Sequence, residues 1–200
     1  AKDDQIPTAA IIEHFVNFRQ RFIYKDKICF PDYCFVCDEE AFDIAKRDLY
    51  PYFKISICDN FYIDSVKNYL GDRPNMTSNK VLYILENIEE DWGRMPAWSI
   101  AFNNFYKNFF IKNKNLQHII VRPHPKDNID IYASLEEYKE VVFDKMPSGI
   151  DSLREVSVVV GVESYFLYLA KKCGYIVYSS MPQGVRDVRL PKNSFNLISP

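Results

Sequence analysis

Four short clusters in this 200-residue chain carry side chains able to do chemistry. The first is Arg122-Pro123-His124-Pro125-Lys126. A proline holds the residue before it near an extended backbone, so Pro123 constrains Arg122 and Pro125 constrains His124. An imidazole held this way can donate to a phosphate oxygen or act as a general acid near neutral pH. Arg122 and Lys126 add positive charge suited to a monophosphate or diphosphate. The plainer reading is a strand stopped by prolines beside an exposed His, but three cationic groups meeting on one short loop favour function.

The second cluster is Gly161-Val162-Glu163-Ser164, which joins an apolar run to a helix. Free amides at a helix start attract anions, and Ser164 adds a hydroxyl donor. Glu163 would repel a phosphate and better suits the hydroxyls of a ribose or sugar, as an acceptor. Ordinary helix capping explains the same residues equally well. The third cluster, Ser179-Ser180, adds two small donors at another strand end, where turn chemistry is the competing explanation. The fourth is Glu13-His14, a carboxylate beside a His; adjacent strand residues face opposite ways, so the pair need not touch. Arg186 and Arg189 read as solvated charges, Asp59-Asn60 as a helix cap, and Glu89-Glu90-Asp91 as a solvated acidic run with nothing to support a metal.

These clusters follow a rhythm of strands and helices. Strands are expected over Ala9–Ile12, Tyr33–Cys37, Lys54–Cys58, Lys80–Glu86, His118–Val121, Val141–Phe143, Val156–Val160 and Tyr175–Tyr178. Helices are expected from Asp38-Glu39-Glu40 to about Tyr50, after Asp59-Asn60 to Gly71, over Trp98 to about Lys112, over Ile150–Glu155, and over Ser164–Lys172. Such alternation argues for parallel sheets in an α/β fold, where ligands sit beyond the carboxyl ends of the strands. The polar stretch Gly71–Asn79 reads as a linker, dividing the chain into 1–78 and 79–200.

Composition narrows the classes. Hydrophobic residues make up 48%, too many for a disordered chain, and no apolar run approaches the ~20 residues of a membrane span. A net charge of −2 gives no general attraction to nucleic acid, and peripheral association with a membrane stays open. Five cysteines, an odd count without a secretory leader, suit reduced thiols in the cytoplasm. Cys34 and Cys37 fall within one strand with no second pair at finger spacing, so they read as core residues. Walker, dinucleotide-fingerprint, HExxH and nucleophile-elbow motifs are absent, and only 6 glycines occur. A nucleotide would be held by side chains and helix ends.

His124-Pro125 at a strand end, then Gly161-Val162-Glu163-Ser164, then Ser179-Ser180, resembles the carboxyl-terminal domain of GT-B glycosyltransferases, notably bacterial sialyltransferases and related capsule or surface-polysaccharide transferases. The resemblance implies Rossmann-like sheets and a nucleotide-sugar donor of the CMP-sialic-acid kind, with a glycan acceptor and no cofactor or metal. Arg122, His124, Lys126, Glu163, Ser164, Ser179 and Ser180 would line the nucleotide site, with His124 at the leaving phosphate. Glu13 and His14 would lie on the acceptor side. The early strands, glycine-rich turn and acidic motif of the family's amino-terminal domain have no counterpart, so residues 1–78 would be an incomplete lobe of a longer enzyme. A non-hydrolysing nucleotide-sugar 2-epimerase and a non-catalytic nucleotide-binding or assembly module are the alternatives. Oligomeric state is left open.

Overall fold

A computed structural model describes residues 6–49, 51–52, 54–71 and 77–199. Two compact units emerge, Ala1–Tyr62 and Ile63–Pro200.

In the first unit, β1 (Ala9–Ile12) begins where the Thr8 amide and hydroxyl both donate to Asp32 Oδ2, at 2.8 and 2.9 Å. β2 (Ile23–Tyr24) and β3 (Lys27–Ile28) form a small antiparallel hairpin. Its turn residues Lys25 and Asp26 have φ of 47° and 59°, the left-handed pair that a two-residue type I′ turn requires. β4 (Tyr33–Val36) leads into α1 (Glu39–Leu49), where Asp38 Oδ1 accepts from the Ala41 amide at 2.8 Å and Glu39 and Glu40 sit at the positive helix end. Ala41, Ala45 and Leu49 form the buried side of α1, and Ile44, which the spacing of three and four also assigns to that side, is half-buried. β5 (Lys54–Ile57) completes a parallel sheet of order β1-β4-β5, with Ala10, Cys34 and Ile55 in register.

α2 (Phe61–Leu70) ends at Gly71, whose φ of 75° suits a left-handed helix stop. The helix straddles the division because its later turns are tied into the second unit. Tyr69 Oη donates to Asp151 Oδ1 at 2.6 Å, and Arg154 donates to the Tyr69 carbonyl at 2.6 Å while lying 4.4 Å over its ring. Most of the expected 71–79 linker, residues 72–76, lies outside the described residues.

The second unit continues with β6 (Lys80–Ile84), α3 (Ala97–Phe105), β7 (His118–Arg122), β8 (Val141–Phe143), α4 (Gly149–Leu153), β9 (Val158–Gly161), α5 (Tyr165–Lys172), β10 (Ile176–Ser179) and β11 (Asn196–Leu197). The helix expected to run unbroken from Trp98 widens into a π turn over Tyr106–Phe110. Phe102, Phe105 and Phe110 are all buried there, in a cluster with Tyr83, Trp98 and Tyr132. This aromatic stripe is core. A 3₁₀ segment, Ile129–Glu137, and the short β11 had no strong sequence signal.

All six strands of the second sheet run parallel, in the order β8-β7-β6-β9-β10-β11. Counted within the unit this is 3-2-1-4-5-6, the doubly wound Rossmann order, in which the direction of winding reverses between the first and fourth strands. Here that reversal falls between β6 and β9. The expected α/β fold with parallel sheets is what the chain adopts. Among the described residues, no helix is long and apolar enough to cross a membrane.

Candidate functional site

The crevice between β6 and β9 is where a doubly wound sheet receives its ligand. Gly161, the last residue of β9, allows the two strands to meet closely: a Cβ there would lie 3.2 Å from both the Cβ and the carbonyl oxygen of Ile84, and 3.3 Å from Glu86 Oε1. Beyond β6 the chain continues through buried Leu85 to Glu86. The Glu86 carboxylate reaches across the crevice to the mouth of α5. Its Oε1 accepts from the amides of Val162, Glu163 and Ser164 at 2.8, 3.0 and 3.1 Å, and Oε2 lies 3.3 Å from the Glu163 amide. These are the amides at which an anion was expected. Burial pushes the Glu86 carboxyl up to about 7, against the lowering effect of the three amides, and the neighbouring charge of Glu163 adds to the rise.

Glu163 is held in a different way. Arg186 donates to it from Nη1 and Nη2 at 2.8 and 2.6 Å, and Arg189 donates from Nε at 2.9 Å, from its backbone amide at 3.2 Å and from Nη2. Arg186 Nε also bonds Glu90 at 2.8 Å, and Glu90 accepts from Trp92 Nε1 at 2.9 Å. Burial works to raise the Glu163 carboxyl, but hydrogen bonds from Arg186 and Arg189 outweigh it and hold the group below its ordinary value. The same Arg186, with Trp92, holds Glu90 down at about 2. Arg186, Arg189 and Glu90 are therefore not the independently solvated charges expected. They form one ion-pair network, because Glu163 is only 7% exposed and its charge must be matched.

Ser164 caps α5 in the ordinary way, its Oγ accepting from the Phe166 amide at 3.2 Å. Ser179 and Ser180 are fully buried. Ser179 Oγ donates to the Val162 carbonyl at 2.5 Å, and Ser180 Oγ lies 3.1 Å from the Gly161 carbonyl and 3.0 Å from Tyr83 Oη. Their hydroxyls brace the β9–α5 turn from the strand beside it.

On the other flank, β7 delivers Arg122 and His124. Arg122 Nη1 donates to Asp144 Oδ2 at 2.6 Å and to the Met146 carbonyl at 3.1 Å, while Ser152 donates to the same Asp144 oxygen. His124 and Lys126 are exposed. His124 Nδ1 accepts from the Lys126 amide at 3.2 Å, which leaves Nε2 to carry the ring proton when the imidazole is neutral. The loop is anchored by Asp127, which accepts from the buried Tyr132 hydroxyl at 2.7 Å. β7 and β9 flank β6, so their carboxyl ends lie roughly 10 Å apart.

Glu13 and His14 are in the first unit, past the end of β1, and both are exposed. Burial and then Arg21 lower the His14 imidazole from its ordinary value, with Glu13 acting the other way. Cys34 is buried, and that burial pushes its thiol up to about 11, an inert core cysteine; Cys37 is half-buried just past β4. Among the described residues, no group of three or more His, Cys, Asp or Glu could hold a metal ion.

Two open clefts border this edge of the second unit. One, about 480 Å³, is lined by Glu86, Asn87, Ile88, Glu89, Glu163 and Arg189, among others. The other, about 1000 Å³, lies beyond β10 and β11, among Met181, Val185, Val188, Phe195 and Leu197. Glu86 is the residue that sequence reasoning passed over. Its signal was a lone acid directly after the buried run Val81–Leu85, at the end of the central strand. No family model, no curated protein and no solved structure matches the chain.

Proposed function

We propose that the second unit binds a nucleotide-sugar at the carboxyl edge of its sheet and serves glycosyl transfer, with a CMP-sialic-acid-like donor favoured and bacterial surface polysaccharide as the setting. The observation that carries this reading is the reversal of winding between β6 and β9, with His124 and Lys126 exposed at the end of the neighbouring β7. In this scheme His124 Nε2, turned away from the Lys126 amide, donates to the leaving phosphate as its charge develops. Lys126 supplies positive charge beside it, while the charge of Arg122 is matched by Asp144 at 2.6 Å. No metal is needed for such an electrostatic role. Calorimetry with CMP, UDP, GDP and CDP tests the reading: selective binding of one nucleotide, weakened at least tenfold by His124→Ala, is expected. Binding of none, or affinity indifferent to His124, would defeat it.

A second reading has its own observation. Because the amides at the mouth of α5 are already satisfied by Glu86, the unit is also suited to hold a nucleotide weakly without turning it over. Nucleotide affinity without transfer or sugar epimerisation, across donors, would favour that module.

A further inference from the structure

His124 opens a β-turn, and the turn decides how its imidazole is held. Pro125 takes the first central position, which its fixed φ favours, and the Asp127 amide closes the turn by donating to the His124 carbonyl at 2.9 Å. Inside that turn the Lys126 amide donates back to His124 Nδ1 at 3.2 Å. The carboxylate of the same Asp127 meets the core, where the Tyr132 hydroxyl donates to Oδ2 at 2.7 Å. Tyr132 is 0% exposed, its ring edge-on to Trp98 at 5.0 Å. On the upstream side Arg122 is held by Asp144. The exposed turn thus has a foot in the protein before it and another after it. We propose that Asp127 is a positioning residue for His124: tethered to Tyr132, it keeps the turn closed, which fixes the ring through Nδ1 and leaves Nε2–H for the phosphate. The proposal rests on the nucleotide-site reading above and adds to it a residue that acts only through its neighbour.

The tether supplies what the prolines do not. Pro123 and Pro125 restrict the residues before them, but Lys126 and Asp127 keep their backbone freedom, and an open turn releases the imidazole. A hydrogen bond to a carboxylate is charge-assisted, and breaking this one strands a hydroxyl in the core, so opening the turn becomes costly. Burial, and then the hydrogen bond to Asp127, push the Tyr132 hydroxyl up from its ordinary value, so it stays a donor across the neutral range. Asn128 Oδ1 accepts from the Asp130 amide at 3.1 Å and starts the 3₁₀ segment that carries Tyr132, which sets the hydroxyl under the turn. A donor already in place stabilises developing charge without reorganising at the moment of reaction. A tether serving the fold alone would lower the melting temperature and leave ring and ligand untouched.

Variants of the full chain test the tether. Tyr132→Phe keeps the ring in the core and removes only the donor, and Asp127→Ala removes the acceptor. Asp127→Asn retains an oxygen that can accept from Tyr132 and serves as the rescue. The first readout needs no ligand. An imidazolium has no acceptor to offer, so the Lys126 amide proton resonance of wild type should follow protonation of the His124 ring in an NMR titration. That response is expected to fall by about half or more in Tyr132→Phe and Asp127→Ala, and to persist in Asp127→Asn. A Lys126 amide indifferent to the ring, or equally responsive in wild type and every variant, overturns the proposal. The second readout is calorimetry with CMP, UDP, GDP and CDP. The nucleotide that wild type selects should bind about fivefold more weakly, or worse, to Tyr132→Phe and Asp127→Ala, and within about twofold of wild type to Asp127→Asn. If that nucleotide needs His124 but binds Tyr132→Phe and Asp127→Ala as tightly as wild type, the tether alone falls. If no nucleotide binds wild type, or binding ignores His124→Ala, the nucleotide site falls and the tether's role with it.

Discussion

The two flanks of the second sheet's carboxyl edge are built on opposite plans. At the β9–β10 flank every functional-looking side chain has an internal partner: Ser179 and Ser180 hold backbone carbonyls, Ser164 caps α5, Glu163 is ringed by arginines and Glu86 closes the amides. At the β7 flank, His124 and Lys126 are exposed and tied to the fold mainly through their backbones. One flank is a braced wall, and the other presents His124 and Lys126 to solvent, with Arg122 held against Asp144.

The sharpest way to break this contrast is to open the wall. Glu163→Ala leaves Arg186 and Arg189 with only the part-exposed Glu90; a loss of about 2–4 kcal/mol is expected in urea unfolding, below the upper end for a buried pair because Arg189 is half-exposed and Glu90 remains. A change under about 0.5 kcal/mol would mean that the arginines are solvated after all. Next comes pH. The Glu86 carboxyl is raised in the folded chain, so the stability it contributes is full below about 4.5 and lost as pH rises toward about 7. Glu163 is lowered, so its contribution is present above the ordinary carboxylate range and lost as pH falls below it. Together the two carboxyls favour a stability maximum near pH 4.5–5, and Glu86→Gln should flatten the decline on the alkaline side by about 1–3 kcal/mol. A melting temperature that ignores Glu86→Gln at pH 8 would remove Glu86 from the wall.

Ser180→Ala deletes a buried hydroxyl shared by Tyr83 and the Gly161 carbonyl, and a loss of about 1–2 kcal/mol is expected. The smallest effect belongs to the open flank. His124→Ala should shift stability by less than about 0.5 kcal/mol while weakening nucleotide binding, which separates recognition from folding. A large destabilisation there would make the two flanks alike.

Much of the fold was legible in the sequence because alternating apolar runs and caps are local signals. The strands β6, β7 and β9, α1 with its acidic start, and α5 with its Ser164 cap fall where periodicity put them. The β2–β3 hairpin did not, since Lys25-Asp26 lacks the Asn-Gly or Asp-Gly signature of a left-handed turn. The site was legible only as a set of strand ends. That Ser179 and Ser180 face inward, and that Arg186 and Arg189 return to Glu163, depends on packing between segments 17 to 26 residues apart. Glu86 is the clearest case: its partners are three amides, which carry no side-chain signature at all.

The central position of β6 has a consequence for the chain as it leaves the ribosome. Both neighbours of this strand come later, β7 from His118 and β9 from Val158. A nascent chain that has emerged only as far as Lys112 therefore carries Val81-Leu82-Tyr83-Ile84-Leu85 with two unpaired edges, a segment prone to join other copies until its own partners arrive. Assembly of the crevice must wait until β9 has emerged, so stalling or truncation before Val158 should send the product to aggregates rather than to a partly working fold.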